Sequence, residues 1–337
     1  MKSFLAAMTF GLALSLSSVV HADEASHKVV IAYQTGAAPY IAGIANGELA
    51  KKTGWNIEFR RFDSGADIFA AIVSGDVQIG DVGSSPLAAA VSRGVDVKAV
   101  YITGGSGEDE ALVVRKDIKT LADLKGRKFA AAPVSTDHYQ LLATLKLAGL
   151  TEKDSQVIAI PQPEIVAAWK RGDIDGGFVW DPALAELKKD GHILLTARQV
   201  AEKGAPTFGA LVVTGTFAKA NPEFVTRYVG LVDGYFRSVH DEPAKWDANS
   251  DNAKLIAGLQ GGTPAENAGR LQQTFTVPLD QQISRQWLAG GTDSGVATIL
   301  ANTAQFLKDQ HKITSVLPSY AAFVTPQFAE DSRKLTN

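Results

Sequence analysis

The sequence predicts an α/β protein of two α/β lobes that are joined by a two-strand hinge. Three observations lead to this prediction. Short apolar strands alternate with helical segments from residue 28 to about residue 214, an order typical of parallel sheets. A second strand and helix series repeats the pattern of the first. The chain has 337 residues, more than a single hydrophobic core usually supports.

The first series is a βαβαβ run, in which apolar or alternating stretches predict strands and amphipathic stretches predict helices. Its predicted elements are, in order, strand 29–33, helix 39–52, strand 55–62, a helix around 69–72, strand 77–82 and helix 86–92. Strands that are separated by helices pair in parallel, so these strands should form one parallel sheet.

The second series has the same order as the first. Its predicted elements are strand 127–132, helix 139–147, strand 156–160, helix 165–171 and strand 177–180. Segment 75–86 can be laid over segment 172–182, since each begins with Gly-Asp and ends with a polar residue and Pro. Either short strand–helix turns look alike by chance, or two similar lobes face each other.

Two further apolar runs, at 111–114 and 211–213, are the candidates for the hinge strands. We expect lobe one to contain residues 23–110 and 209–337, with mostly helical structure after the second crossing. Lobe two would contain residues 111–208. Such a hinge lets the lobes close on a ligand without repacking either core.

The first 22 residues have the pattern of a cleaved signal peptide. Lys2 supplies a positive charge, residues 4–20 are apolar, and small side chains precede a cleavage point after Ala22. The alternative is a retained membrane anchor, but this run is short for a spanning helix. The mature chain should therefore begin near Asp23 and be exported.

The composition excludes several classes of function. The chain has no cysteine, which excludes disulfides, thiolate catalysis, cysteine-ligated metals and a lipid anchor on cysteine, so we expect a freely diffusing periplasmic protein. Its formal net charge is −3, and the sequence has no basic stripe of the kind that binds nucleic acid. The sequence predicts no metal and no cofactor, and we expect a monomer.

Two turns that join a strand to a helix carry the candidate anion-binding groups. After the strand at 77–82, Gly83 permits a close turn, Ser84 and Ser85 offer hydroxyls, and Pro86 suits a first helical turn. Free N–H groups at such a helix start bind oxyanions, and the carboxyl edge of a parallel sheet is the expected ligand position. The alternative is an ordinary helix cap.

The second turn, in the other lobe, contains Ser135 and Thr136, which offer the same groups. His138 follows them, and we expect it to pack or to form a hydrogen bond. Trp180 ends a strand and could cover the methylenes of a small ligand, although core packing is the alternative. Gln34 could donate an amide to an anion or lie in a solvated loop.

These motifs together resemble the solute-binding proteins of taurine and sulfonate ABC transporters, over nearly all of the mature chain. Besides Ser135-Thr136, His138-Tyr139 and Val179-Trp180, the resemblance rests on AYQT (32–35), FDSGA (62–66), SGDVQIG (74–80), GSSPL (83–87), AAW (167–169), RGDIDG (171–176), GAPT (204–207) and NTAQFLK (302–308).

The resemblance implies a type II periplasmic binding protein fold, with a small sulfonate such as taurine held in the crevice. It also implies delivery of the ligand to a membrane permease and, through it, a cytoplasmic ATPase. An enzyme on the same fold is a less favoured alternative, because the sequence offers no cysteine and no histidine pair. The predicted ligand-binding residues are Gln34, Ser84, Ser85, Ser135, Thr136, Asp137, Trp180 and Phe208.

One position departs from the resemblance. Close taurine binders carry an aspartate on the returning crossover strand, where this sequence has Gly209. A buried ammonium needs a counter-charge, for which Asp137, Asp181 and Glu110 are candidates, with Asp137 first. Otherwise the ligand lacks an amine, as an alkanesulfonate does.

Overall fold

The structure, a computed structural model, describes residues 27–36 and 38–336. The predicted signal peptide lies outside these residues. The strands are β1 (Lys28–Gln34), β2 (Asn56–Phe62), β3 (Ile79–Gly83), β4 (Val97–Gly105), β5 (Glu110–Val114), β6 (Lys128–Ala131), β7 (Gln156–Ala159), β8 (Gly176–Trp180), β9 (His192–Thr196) and β10 (Phe208–Thr214).

The helices begin between the strands of each sheet and then fill the C-terminal part of the chain, as expected. They are α1 (Tyr40–Ala45), α2 (Glu48–Thr53), α3 (Gly65–Val73), α4 (Ser84–Ser92), α5 (Thr136–Leu147), α6 (Gln162–Arg171), α7 (Ala183–Lys188), α8 (Ala197–Glu202), α9 (Gly215–Ala220), α10 (Pro222–Asp241), α11 (Asp251–Gln260), α12 (Pro264–Gln273), α13 (Leu279–Gln282), α14 (Gly295–Asp309) and α15 (Gln327–Thr336). Within the described ranges, no helix combines the length and the apolar character of a membrane span.

Two sheets of the same topology form the framework. The first has the order β2-β1-β3-β10-β4 and the second the order β7-β6-β8-β5-β9. In each sheet three neighbouring strands pair in parallel, and one strand that arrives from elsewhere in the chain pairs antiparallel with its two neighbours. Strands β3 and β8 hold equivalent places, so the likeness of segments 75–86 and 172–182 reflects a structural repeat.

The chain crosses between the sheets at two places. Strand β5 follows β4 of the first sheet but lies in the second, and β10 follows the second sheet but lies in the first. Both strands are apolar and almost wholly buried, as expected for strands that have neighbours on both sides. The ends of the two sheets therefore lie close to both crossings.

Each sheet has a core of its own. The first sheet packs with helices of the C-terminal part around large side chains such as Tyr228 and Trp246. The second sheet has one apolar cluster that includes Phe178 and another that includes Trp169. Successive side chains of a strand point to opposite faces, which explains why this sheet is covered on both sides.

The prediction of a single helix at 39–52 is wrong, because α1 and α2 are separated near Gly47. Gly47 has a φ of 73°, a left-handed conformation that glycine adopts easily and that interrupts helical hydrogen bonding. Helix α5 begins three residues before the predicted start at 139, because the Ser135 hydroxyl accepts a hydrogen bond from the His138 N–H group and caps it.

Candidate functional site

A cavity of about 180 Å³ lies between the ends of the two sheets. On one side its wall is formed by residues after β1, at the end of β3, and in β4 and β10. On the other side it is formed by the start of α5 and the end of β8. The carboxyl ends of parallel strands meet here, which is the usual ligand position in open α/β sheets.

The turn from β3 to α4 reaches the cavity through Gly83 and Pro86. The predicted Ser84 and Ser85 side chains are fully buried and do not line the cavity. Ser84 Oγ accepts a hydrogen bond from the Phe208 N–H group at 3.3 Å, and so connects α4 to β10. The parts of this turn that can face a ligand are therefore Gly83 and the backbone at the start of α4, and not the serine hydroxyls.

The start of α5 lies directly opposite this turn. A Cβ atom added to Gly83 would lie 2.8 Å from Thr136 Cγ2, so the two helix starts touch across the cavity. Ser135 and Thr136 both line the cavity, as predicted. Ser135 Oγ donates to the Ala132 carbonyl at 2.7 Å, and Thr136 Oγ1 donates to Glu110 Oε1 at 3.0 Å. The first-turn N–H groups of α5 remain without helical partners.

Three other predicted residues line the cavity. Gln34 Nε2 donates to the Asp81 carbonyl at 3.0 Å, which holds the end of β1 against β3. Trp180 Nε1 donates to Thr35 Oγ1 at 3.2 Å and connects the second sheet to the first. Phe208 is almost fully buried at the second chain crossing.

Asp137 is fully buried and does not line the cavity. Gln162 Nε2 donates to its Oδ2 at 3.2 Å. Burial and the nearby Glu110 carboxylate raise the pKa of Asp137 well above its usual range. Asp137 therefore lies behind the wall that Thr136 and Glu110 form, and does not face a ligand directly.

His138 is buried and its Nδ1 accepts a hydrogen bond from the Val134 N–H group at 3.2 Å. Burial, with a smaller effect of Lys312, lowers the pKa of His138 to about 4. The neutral ring is buried and hydrogen-bonded, which agrees with the predicted packing and hydrogen-bonding role.

The structure adds three polar residues that sequence reasoning did not single out, Asp81, Tyr40 and Thr103. All three line the cavity. The Tyr40 hydroxyl donates to Asp81 Oδ2 at 2.6 Å, and the Thr103 hydroxyl donates to Asp81 Oδ1 at 2.8 Å. Burial raises the pKa of Asp81, and these two hydrogen bonds oppose that rise. An aspartate inside an otherwise apolar strand was the signal that could have identified it.

Glu110 and Asp109 line the cavity at the first chain crossing. Burial raises the pKa of Asp109 to about 6. Burial and the charge of Asp109 raise the pKa of Glu110 to about 8. Near neutral pH, Glu110 is therefore largely protonated and can donate a hydrogen bond.

Asp181, which follows β8 of the second sheet, and Arg270 form an ion pair at the cavity wall. Arg270 Nε lies 2.8 Å from Asp181 Oδ2, and both side chains are only about a tenth exposed. Asp181 Oδ1 also accepts a hydrogen bond from the Ala185 N–H group in α7. Arg270 lies on α12, so this contact and the bond from Trp180 to Thr35 connect the end of β8 to the opposite side of the cavity wall.

Gly209 lies on β10 and lines the cavity. A Cβ atom at this position would be 2.8 Å from Thr103 Oγ1. Strands β10 and β4 have an irregular register here, with Thr103 skipped between the partners of Gly209 and Ala210. A bulge redirects a side chain, which explains how Thr103 reaches Asp81 over Gly209.

Within the described ranges, no cluster of three or more histidine, aspartate or glutamate side chains has an arrangement that could hold a metal ion.

Comparison with known proteins gives a consistent result. A family model described as the substrate binding domain of the ABC-type glycine betaine transport system matches residues 27–240. The taurine-binding periplasmic protein of Escherichia coli (strain K12) is 38% identical over 303 residues, which cover 90% of this chain and 92% of the relative. A putative aliphatic sulfonates-binding protein of the same strain is 29% identical over 229 residues, covering 62% of this chain and 70% of the relative.

Solved structures agree at the level of the fold. The alkanesulfonate-binding protein of Xanthomonas axonopodis pv. citri bound to MOPS matches with a TM-score of 0.71 at 19% identity, over 90% of this chain and 97% of that chain. The predicted α/β fold of periplasmic binding proteins is therefore confirmed.

Proposed function

The chain belongs to the family of substrate-binding domains of ABC-type transport systems, and from this premise we propose that it captures a small sulfonate such as taurine and delivers it to an ABC importer. The ligand would bind in the crevice between the two sheets. Delivery would be to a membrane permease and, through it, to a cytoplasmic ATPase. The protein would act as a monomer in the periplasm after removal of residues 1–22.

The observation that carries this proposal is the contact of two helix starts at the cavity, at Gly83 and Thr136. The N-terminus of a helix offers free N–H groups and a partial positive charge, and therefore favours an anion. Two such ends that meet at one point suit the three oxygens of a sulfonate. Trp180 in the wall offers an apolar surface for the methylenes of a short ligand.

The second candidate is a binder of an amine-free alkanesulfonate or another small oxyanion. Gly209 favours this alternative, because it removes a possible carboxylate from the wall. The similarity to a putative aliphatic sulfonates-binding protein also supports it. Catalysis is the least favoured use of the cavity, and we propose that the bound ligand is released unchanged.

The experiment is a thermal-shift panel of taurine, hypotaurine, isethionate, ethanesulfonate, sulfate and nitrate. A ligand that binds only the folded state stabilises it, by about 2.7 kcal/mol at a concentration of 100 times Kd. At least one sulfonate should raise the melting temperature, and the ligand should be recovered unchanged afterwards. If no sulfonate raises the melting temperature while nitrate or sulfate does, the proposed ligand class is wrong.

A further inference from the structure

Asp81 presents a carboxylate to the cavity, and no cation of the described residues pairs with it. Within the described part of the chain, the side chains that contact its two oxygens are the hydroxyls of Tyr40 and Thr103. Arg270 is the cationic side chain of the described cavity wall, and Asp181 already pairs with it. A carboxylate inside a protein is costly unless an opposite charge accompanies it.

The other acidic groups of the wall are less suited to stay ionised. Burial raises the pKa of Glu110 to about 8, and it raises the pKa of Asp109 to about 6. Burial raises the pKa of Asp81 as well, but each of its two oxygens accepts a hydrogen bond from a hydroxyl, and these bonds oppose that rise because they favour the ionised form. The cavity thus holds a carboxylate that two hydrogen bonds help to keep ionised and that no cation of the described residues accompanies.

Asp81 also lies at a suitable distance from the proposed anion site. It precedes Gly83 by two residues on β3, which corresponds to about 7 Å along the strand. Gly83 is the point at which the starts of α4 and α5 meet. A short ligand could therefore place a negative group at the helix starts and a positive group at Asp81.

We propose that Asp81 binds the ammonium group of an aminosulfonate, while the sulfonate binds at the starts of α4 and α5. This inference rests on the proposed sulfonate binding and narrows its ligand class to zwitterions. Tyr40 and Thr103 orient the carboxylate. Gly209 leaves the space that Thr103 needs, because a Cβ at that position would displace the Thr103 hydroxyl from its bond to Asp81.

The test compares Asp81→Asn with the wild type by calorimetry, using taurine and ethanesulfonate, which lacks the amine. Wild type should bind taurine at least about tenfold more tightly than ethanesulfonate. Asp81→Asn should weaken taurine binding by at least about tenfold, because the ammonium loses its partner, and should change ethanesulfonate binding by less than about threefold. Asp81→Ser repeats the test if Asp81→Asn does not fold.

Asp233→Asn is the matched control. Asp233 also accepts a hydrogen bond from a tyrosine, Tyr101, and lies in the same lobe, but it does not line the cavity. This variant should alter the melting temperature and leave the preference for taurine unchanged. If it removes that preference as Asp81→Asn does, the effect is general and the inference is overturned.

The outcomes separate the inference from the function on which it rests. Equal wild-type affinities for taurine and ethanesulfonate overturn the role of Asp81 and leave sulfonate binding in place. Selective loss of taurine binding in Asp109→Asn, with none in Asp81→Asn, assigns the ammonium to Asp109 instead. No binding of any sulfonate by wild type overturns the proposed function, and the inference with it.

Discussion

At the scale of single residues, the distinctive feature is a set of acidic side chains that face or adjoin one cavity. Glu110 donates or accepts at this wall according to its protonation, and Thr136 donates a hydrogen bond to it. Asp137 adjoins Glu110 behind the wall, and the Glu110 carboxylate raises the pKa of Asp137 beyond the effect of burial. A pair of this kind holds a proton that solvent-exposed carboxylates release.

The stability of the protein should therefore depend on the protonation of Glu110. Its pKa is about 8 in the folded protein, above the ordinary value for glutamate, so its contribution is present at acidic pH and is lost as the pH rises through 8. Glu110→Gln should remove this dependence. The unfolding free energy of both proteins is compared at pH 5 and at pH 9. The fall between these two pH values should be smaller in the variant than in wild type, by about 1 kcal/mol or more.

Urea unfolding at several pH values measures this difference. Glu164→Gln, at an exposed position of α6, is the control and should follow the wild-type profile. If the unfolding free energy of Glu110→Gln declines with pH as that of wild type does, another acidic side chain at the cavity holds the proton.

At the scale of secondary-structure elements, the site is a junction of two helix starts that belong to different sheets. Helix α4 follows β3 and helix α5 follows β6, and these strands belong to the equivalent parallel parts of the two sheets. Gly83 allows the two helix starts to touch, because it has no Cβ to separate them. The same contact directs two sets of backbone N–H groups at one place.

Gly83→Ala should therefore weaken sulfonate binding. Its methyl group would meet Thr136 Cγ2 at 2.8 Å, closer than two carbon atoms approach without contact strain, so the helix starts must separate. We expect a loss of at least about tenfold in affinity, since hydrogen bonds to a charged group contribute roughly 1.5 to 3 kcal/mol each. Calorimetric titration with the best ligand of the panel measures it.

The control is Gly258→Ala in α11, where an added Cβ meets no atom within 4 Å. This substitution should leave affinity unchanged and increase stability slightly, because alanine favours the helix interior more than glycine does. Wild-type affinity in Gly83→Ala would show that the helix starts do not bind the ligand.

At the scale of the whole molecule, closure of the crevice depends on contacts between the lobes. We propose that residues 23–110 with 209–337 form one lobe and residues 111–208 the other. The ion pair between Asp181 and Arg270 joins the lobes at the cavity, in a partly dehydrated setting. A second pair, between Lys312 and Glu152, is longer at 3.9 Å and more exposed, so it should contribute little.

Arg270→Gln should favour the open form. Breaking a largely buried ion pair typically costs about 3 to 5 kcal/mol, because the remaining charge stays unpaired. The closed form contains this pair, so part of that free energy should be lost from the closed form relative to the open form. Solution scattering should show a larger radius of gyration for the ligand-free variant than for wild type. Saturating ligand should reduce the radius of both. Lys312→Gln should scatter as wild type does, and an unchanged radius in Arg270→Gln would exclude this pair from closure.

The amino-terminal segment gives a prediction for the cell. If residues 1–22 are removed on export, the mature protein begins near Asp23 and osmotic shock releases it. Mass spectrometry of the shock fluid measures the start of the chain. Recovery only with membranes after a high-salt wash would contradict export as a free periplasmic protein.

Much of the fold and part of the site follow from local sequence. Apolar runs predicted β1, β3 and β8 to within two or three residues, since burial on both faces of a parallel strand leaves a clear signal. The loops with Ser135, Thr136 and Trp180 were placed at the cavity, because strand ends and helix starts are recognisable. The break near Gly47 was missed, since an amphipathic pattern can continue across a left-handed residue.

The sequence by itself determined the class of protein, the two sheets and the edge at which the ligand should lie. Only the tertiary structure decided which side chains face the cavity. Ser84, Ser85 and Asp137 do not line the cavity, whereas Asp81 and Arg270, which are far apart in the chain, both do. The periodicity of a segment indicates its local conformation. Whether a side chain faces the cavity depends instead on how strands from different lobes lie relative to each other, and no single segment determines that arrangement.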